Sequence, residues 1–320
     1  MGRYYLTLLI IVVVLLALAG LAFMLLPRFL FEMLFKKPKR STKIPDFYKD
    51  SPHYKVSRAA MAQMEHMVSE DHFITSRDGL KLHGYLFPVR GDRKKFVIGV
   101  HGYRSYARPE CAPYVEFYQK LGFSMLMVDD RAHAPSEGEY IGFGVLDRLD
   151  VVDWCKYLVK TYGREIQILL HGVSMGGATV LAASGEEDLP AQVIGITADC
   201  GFTSARDILK FQLLQSMKLK PEWVMPGIEK LCKEKIGFDF DNYSAIRQVK
   251  KAKAPILFVQ GMKDTMVPPF MVNQLYQACV SKKRVLKVED AGHAESICFM
   301  KEEYEKAIIE HFRLEVKTPY

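Results

Sequence analysis

Gly172-Val173-Ser174-Met175-Gly176-Gly177 sets a serine among small residues, directly after the apolar run Ile166 to Leu170 and before a small-residue segment with helical character. A serine carried on a sharp strand-to-helix turn must accept strained dihedrals and close backbone approach. Glycine on either side permits this because it has no β-carbon. The hydroxyl is a weak nucleophile until a base takes its proton, so the motif demands a histidine and an acid to hold that histidine's tautomer. Downstream, Gly261-Met262-Lys263-Asp264 closes the apolar run Ile256 to Gln260, and Ala291-Gly292-His293 follows Val285 to Glu289. Two strand ends thus offer an acid, Asp264, and a base, His293. Asp199, ending an earlier strand candidate, competes for the acid's role, and Asp264 has the alternative use of capping a helix that begins near Pro268. A negative oxygen forming during attack needs donors already in place, each worth on the order of 3 kcal/mol. The backbone N–H groups of Tyr103, in His101-Gly102-Tyr103 after Phe96 to Val100, and of Met175 are the candidates. The chemistry of this set is acyl transfer to water, for which no metal and no organic cofactor is implied. His101, His133 and His171 read as structural.

These groups work together only if strands and helices bring them to one rim of a sheet. Short apolar runs begin at Asp71, and His72 to Thr75 and Leu82 to Pro88 flank Arg77-Asp78-Gly79, a hairpin signal. Strands are expected at Phe96 to His101, Ser124 to Asp129, Ile166 to Gly172, Val193 to Asp199, Ile256 to Gly261 and Arg284 to Val288. Helices are expected at Cys111 to Leu121, Leu146 to Thr161, Gly176 to Gly185, Phe270 to Val280 and Glu295 to Phe312. Such alternation predicts an α/β class with a mainly parallel sheet and helices on both faces. Residues 202–250 break the rhythm with helical periodicity and no clear strand. An insertion there would sit over the carboxyl ends of the strands, where open sheets of this kind bind ligands.

Composition is that of an ordinary folded enzyme, 49% hydrophobic and 25% charged over 320 residues. No charged residue falls between Tyr4 and Pro27, and the run Leu6 to Leu26 matches the ~30 Å of a bilayer core, which predicts a transmembrane helix. A cleaved secretory signal, with Ala17-Leu18-Ala19 as the cleavage site, is the alternative, opposed by the apolar residues that continue from Leu21 to Leu26 and Phe29 to Phe35. Arg3, Arg28, Lys36, Lys37, Lys39, Arg40 and Lys43 against Glu32 leave residues 44–320 almost neutral. No basic face calls for nucleic acid, and the lysine cluster suits anionic lipid head groups. More basic residues follow the apolar run than precede it, so the catalytic domain is expected to be cytoplasmic, an extracellular one being the alternative. The six cysteines stand singly and read as unpaired thiols, and Asn242-Tyr243-Ser244 is a glycosylation sequon of little weight.

With His101-Gly102-Tyr103, Asp130-Arg131-Ala132-His133-Ala134-Pro135-Ser136-Glu137-Gly138, Gly172-Val173-Ser174-Met175-Gly176, Asp264 and His293, residues 70–313 resemble the α/β-hydrolase superfamily. Within it the chain resembles the membrane-anchored branch near the serine-aminopeptidase-like and monoglyceride-lipase-like hydrolases. Arg131-Ala132-His133-Ala134 departs from that family's Arg-Gly-His-Gly. The resemblance implies an eight-stranded sheet whose second strand is antiparallel, with a helical cap at 202–250. The expected organisation is an anchor at 1–27, a basic juxtamembrane connector at 28–69, a hydrolase core at 70–201 and 251–320, and the cap between. The apolar patch Phe29 to Phe35 has the composition to lie along a membrane interface.

Substrate is harder to read than reaction. Met217, Trp223 and Met225 belong to an apolar set in the cap that either lines an acyl pocket or packs the cap on the core. With the anchor, this points to a medium-chain or lipid-like small-molecule ester. Peptidase activity would need an acidic pocket for a substrate amine, for which Glu137, Glu139, Asp147 and Asp150 are candidates, although Asp147 and Asp150 are expected to face solvent on a helix. A non-catalytic membrane scaffold is the reading from another class, and the filled triad positions count against it.

Overall fold

The apolar runs bounded by turn residues become eight strands of one sheet, in the order β1-β2-β4-β3-β5-β6-β7-β8. The computed structural model describes residues 2–38, 50–91, 93–240 and 242–315, without the side chains of residues 2, 3, 18, 19 and 22. The strands are β1 (Glu70–Thr75), β2 (Lys81–Phe87), β3 (Lys95–Val100), β4 (Ser124–Asp129), β5 (Gln167–Val173), β6 (Val193–Asp199), β7 (Ile256–Gly261) and β8 (Lys283–Val288). β2 runs antiparallel to both of its neighbours, β1 and β4, and all other pairs are parallel. β4 and β7 are buried at every position, as strands covered on both faces must be, whereas the edge strand β1 alternates between exposed and half-buried. Gly79, at φ +88°, makes the β1–β2 turn that Asp78-Gly79 announced.

Helices cover both faces: α1 (Gly2–Phe35), α2 (Pro52–Met64), α3 (Ala107–Lys120), α4 (Asp147–Tyr162), α5 (Met175–Ala183), α6 (Ala205–Gln215), α7 (Pro221–Leu231), α8 (Ala245–Gln248), α9 (Phe270–Ala278), α10 (Ser296–Phe299) and α11 (Lys301–Phe312). The single helix expected over Glu295 to Phe312 is two, broken at Met300 (φ −139°, ψ 58°). One apolar cluster, around Trp154, Phe96 and Phe258, lies on one face of the sheet, and a second, around Tyr114, Phe123 and Tyr304, lies on the other. Residues 202–250 supply α6, α7, a π-helical turn ending at Gly237 (φ 84°) and α8, with no strand among the described residues. Ser204 starts α6 by accepting the Asp207 N–H at 3.0 Å, and Pro221 starts α7 where its missing N–H loses nothing.

A third cluster joins this helical insertion to α1. Leu30, Phe31 and Phe35 are buried with Ile208, Leu209, Leu213, Val224, Met225 and Ile228. The patch Phe29 to Phe35 therefore does not lie along an interface as a unit. Phe31 and Phe35, one helical turn apart with ring centroids at 5.3 Å, turn inward, while Phe29 stays exposed on the opposite face. Between Tyr4 and Leu25 the large apolar side chains that are described point outward. Among the described residues no helix is long and apolar enough to cross a membrane; the apolar run of α1 is interrupted at 18, 19 and 22, whose side chains are outside the description. The fold thus carries the expected anchor no further than a 34-residue helix with an outward apolar surface. Lys39, Arg40 and Lys43 of the basic flank, and the side chain of Arg3, lie outside the described residues.

Candidate active site

Ser174 sits between β5 and α5 at φ 57°, ψ −115°, a conformation that strains any residue with a β-carbon by about 1–3 kcal/mol. The surroundings enforce it. A β-carbon on Gly172 would drive into the Gly176 carbonyl oxygen, and one on Gly176 into the Val100 carbonyl oxygen. The Ser174 N–H donates to the Asp199 carbonyl at 2.8 Å, which ties the turn to β6. The serine is thus held up at the carboxyl end of the sheet.

His293 Nε2 lies 2.9 Å from Ser174 Oγ, and its Nδ1 lies 2.8 Å from Asp264 Oδ2. With a carboxylate at Nδ1, that nitrogen keeps its proton and Nε2 is left to accept the one from the hydroxyl. Asp264 is itself fixed: Oδ1 accepts the Met266 and Val267 N–H groups at 2.8 Å each, and Oδ2 accepts Gln260 Nε2 at 3.2 Å. It therefore caps the turn after β7 and orients the histidine at once. Burial pulls the His293 pKa down, but the hydrogen bond and charge of Asp264, with Glu110 and Asp199, outweigh it and the net shift is upward.

Asp199, the competing acid, belongs to another layer. Its Oδ2 accepts the Tyr304 hydroxyl at 3.1 Å; Tyr304 meets His171 Nε2 at 3.1 Å, and the Tyr118 hydroxyl meets His171 Nδ1 at 2.8 Å. Burial pushes Asp199 up to about 7 and His171 down to about 3. His101 and His133 also serve the backbone, their Nε2 atoms accepting the Asp130 and Arg104 N–H groups at 3.1 Å each.

The loop after β3 comes close to the nucleophile: a β-carbon on Gly102 would lie 3.3 Å from Ser174 Cβ and 3.8 Å from its Oγ. Among the described residues neither the Tyr103 nor the Met175 N–H is given to a backbone carbonyl. The Tyr103 hydroxyl donates to the Leu34 carbonyl of α1 at 2.7 Å, and the Arg104 guanidinium donates to the Met33 carbonyl. Sequence reasoning missed this link, and also Phe31 and Phe35 as part of the cap's core. Their helical i, i+4 spacing was the available signal.

Ala132 and Ala134 stand at φ 60° and 42°, so the departure from Arg-Gly-His-Gly places β-carbons where glycine would be unstrained. Asp147 and Asp150 do not face solvent. Asp150 accepts Arg131 Nε and Nη2 at 2.7 and 2.8 Å, and Asp147 accepts the Gly144 N–H at 2.7 Å, because Arg131 is buried beside them and demands a counter-charge. Burial pushes Asp150 up to about 7 against the pull of that arginine. Glu137 Oε2 accepts the Lys81 N–H at 2.8 Å.

Of the cap residues singled out for substrate, Met225 is buried in the third cluster and Met217 is partly buried against it. Trp223 is exposed and edge-on to Phe23 of α1, with ring centroids at 6.4 Å. Trp223 thus meets α1 directly, and Met225 and Met217 share a cluster with that helix. Cys200 Sγ joins a carboxylate oxygen of Asp264 and a ring nitrogen of His293 in a set whose donor atoms lie within 4.8 Å of one another. Burial holds that thiol well above its ordinary pKa, and the other two donors are already bonded to each other, so the set reads as the triad and a neighbouring thiol.

The profile of the prolyl oligopeptidase family matches residues 144–312. An uncharacterised protein, YqkD, of Bacillus subtilis (strain 168) is 26% identical over 198 residues, covering 62% of this chain and 64% of that protein. The uncharacterised membrane protein YNL320W of Saccharomyces cerevisiae is 28% identical over 186 residues, 57% of this chain and 58% of that one. The match therefore spans less than two thirds of the length of either relative. An esterase of Pyrococcus furiosus superposes with a TM-score of 0.64 at 23% identity, covering 88% of this chain and 99% of the esterase, a likeness of fold alone.

Proposed function

We propose, from the premise that this chain belongs to the prolyl oligopeptidase family of the α/β-hydrolase superfamily, that it is a membrane-anchored serine hydrolase cleaving a carboxylic ester through an acyl-enzyme on Ser174. The superfamily is the one its motifs resemble.

The observation that carries the reading is the pair of contacts through which His293 joins Ser174 and Asp264, at 2.9 and 2.8 Å. Ser174 Oγ attacks the ester carbonyl carbon as its proton passes to His293 Nε2. The carbonyl oxygen gains the negative charge and takes the Tyr103 and Met175 N–H groups. Collapse breaks the carbon–oxygen bond, and the alcohol leaves with the proton from His293. Water, deprotonated by the same nitrogen, then releases the acid and restores the serine. Throughout, the Asp264 carboxylate stabilises the imidazolium, in keeping with the upward shift of His293.

An ester is favoured over a peptide by the fate of three of the four acids offered for an amine pocket. Asp147 and Asp150 are buried and engaged, and Glu137 is bonded to backbone. Peptidase activity is the second reading, favoured by the family match. The medium-chain or lipid-like character of the substrate and the anchor are both supported by outward apolar side chains, Leu214 and Trp223 of the cap and those of the outer half of α1. One relative carries the word membrane in its name. The basic residues after the apolar run favour a cytoplasmic catalytic domain. A scaffold role is opposed by the assembled triad.

A fluorophosphonate probe tests the chemistry. The expected result is one label at Ser174, lost in Ser174→Ala together with esterase turnover. A folded protein that resists the probe and keeps turnover after Ser174→Ala sinks the proposal. A p-nitrophenyl ester series from acetate upward tests the substrate class, and no preference beyond acetate removes the lipid idea.

A further inference from the structure

The structure assigns a membrane-facing surface to the mouth of the site: the apolar rim formed by the cap and the Asp264 loop rests in the lipid interface, so that substrate reaches Ser174 from the bilayer. This deepens the reading above and rests on α1 being the anchor.

Depth is set by contact. Trp223 of α7 meets Phe23, and Gly227 packs on Pro27, so α7 lies against the very turns of α1 where the apolar run Leu6 to Leu26 ends. If that run fills the hydrocarbon layer, its last turn marks the head-group level and Trp223 is held there with it, a level tryptophan favours. Lys220 places its ammonium 5.4 Å from the Trp223 ring, and with Lys218 it supplies cations for lipid phosphates.

The apolar surface does not stop at α7. Trp223 (56% exposed), Leu214 (49%), Met266 (51%) and Phe270 (50%) are all large side chains left half in solvent. They are joined through α6, where Gln212 Nε2 donates to the Met266 carbonyl at 2.6 Å and the Phe211 ring lies 6.5 Å from that of Phe270. Met266 follows Asp264 by two residues, and its N–H holds that carboxylate. The four exposed side chains thus stand on elements that run from α1 to the triad's own loop. Large apolar side chains left exposed on neighbouring elements mark an interaction site, and the contact of α7 with the outward apolar helix α1 selects lipid as the occupant.

The protein has two tryptophans, and Trp154 is buried in the core, so Trp223 reports its surroundings over a constant background. The full-length chain is reconstituted in phosphatidylcholine vesicles containing acyl-brominated lipid, as wild type, as Trp223→Phe, and as Trp223→Phe carrying Phe270→Trp. Quenching is expected for wild type, is lost in Trp223→Phe, and returns with Phe270→Trp. If Trp223 is quenched while the indole introduced at 270 emits as in water, the inference fails and the anchor stands; if neither is quenched, both fail. In a second arm, Leu214→Ser with Phe270→Ser lowers turnover of a vesicle-embedded ester roughly tenfold and leaves soluble p-nitrophenyl butyrate within about twofold of wild type. Equal losses on both substrates overturn the inference.

Discussion

Asp199→Asn separates the two aspartates that competed for the catalytic acid. The side chain is fully buried with one oxygen on the Tyr304 hydroxyl and the other unpartnered, and burial, helped by Asp264 and Glu110, lifts its pKa from an ordinary 3.8 to about 7. A folded-state value above the unfolded one means stability that is fully present below the unfolded pKa and lost as pH rises through the folded one. Between about pH 5.5 and about pH 8.5 this linkage removes about 2 kcal/mol from the wild type, at 1.36 kcal/mol per unit until the folded group ionises. The variant has no such slope, while Asp150, also lifted to about 7, is present in both proteins and cancels. Urea titrations at the two pH values should therefore show the stability difference moving about 2 kcal/mol in favour of Asp199→Asn at the higher pH. Esterase turnover should change little, because the Ser174 N–H is held by the backbone carbonyl of residue 199 and not by its side chain. A pH-independent stability difference refutes the burial argument, and a collapse of turnover to the level of Asp264→Asn refutes the assignment of the acid.

Asp264→Asn should lower kcat about 10⁴-fold with the protein still folded, since the carboxylate fixes the imidazole tautomer and stabilises its charged form; steady-state kinetics beside a melting curve reads both. The pH profile of kcat/KM should rise through a value above the ordinary 6.5 of histidine, because His293 is shifted upward and must be neutral to act as base; a midpoint below 6.5 contradicts the site's electrostatics. Phe35→Ala should destabilise by about 3–5 kcal/mol in chemical denaturation, as for any fully buried phenylalanine, although the residue lies beyond the expected anchor. Tyr103→Phe removes one hydroxyl bond to α1, worth about 1 kcal/mol, and keeps the backbone donor, so stability should fall slightly and kcat stay within a few-fold.

Sequence reasoning reached furthest where one residue type has one job. Gly172 and Gly176 announce a turn that no β-carbon can enter, and strand ends at Asp264 and His293 follow from short apolar runs with period and length. It failed where a neighbour distant in the chain decides the outcome. Asp147 and Asp150 look solvent-facing on a helix until Arg131 is placed beside them. Met225 and Trp223 carry a composition that suits a pocket or packing alike, and nothing local in the sequence announces that α1, some two hundred residues earlier, supplies neighbours for them. The break at Met300 left no mark because Glu295 to Phe312 keeps helical composition on both sides.

Helix α1 has two halves with different allegiances, and no slack between them. Its outer half shows apolar side chains to the surroundings, while its last two turns are wedged among α6 and α7 and clamped by Tyr103 and Arg104. A clipped version starting after residue 38 consequently does not leave the rest of the fold as it is. It would open a hole once filled by two phenyl rings and unfasten the loop that carries Tyr103 and Arg104. Trimming the outer half removes outward apolar surface, whereas trimming the inner half takes Leu30, Phe31 and Phe35 out of a buried cluster.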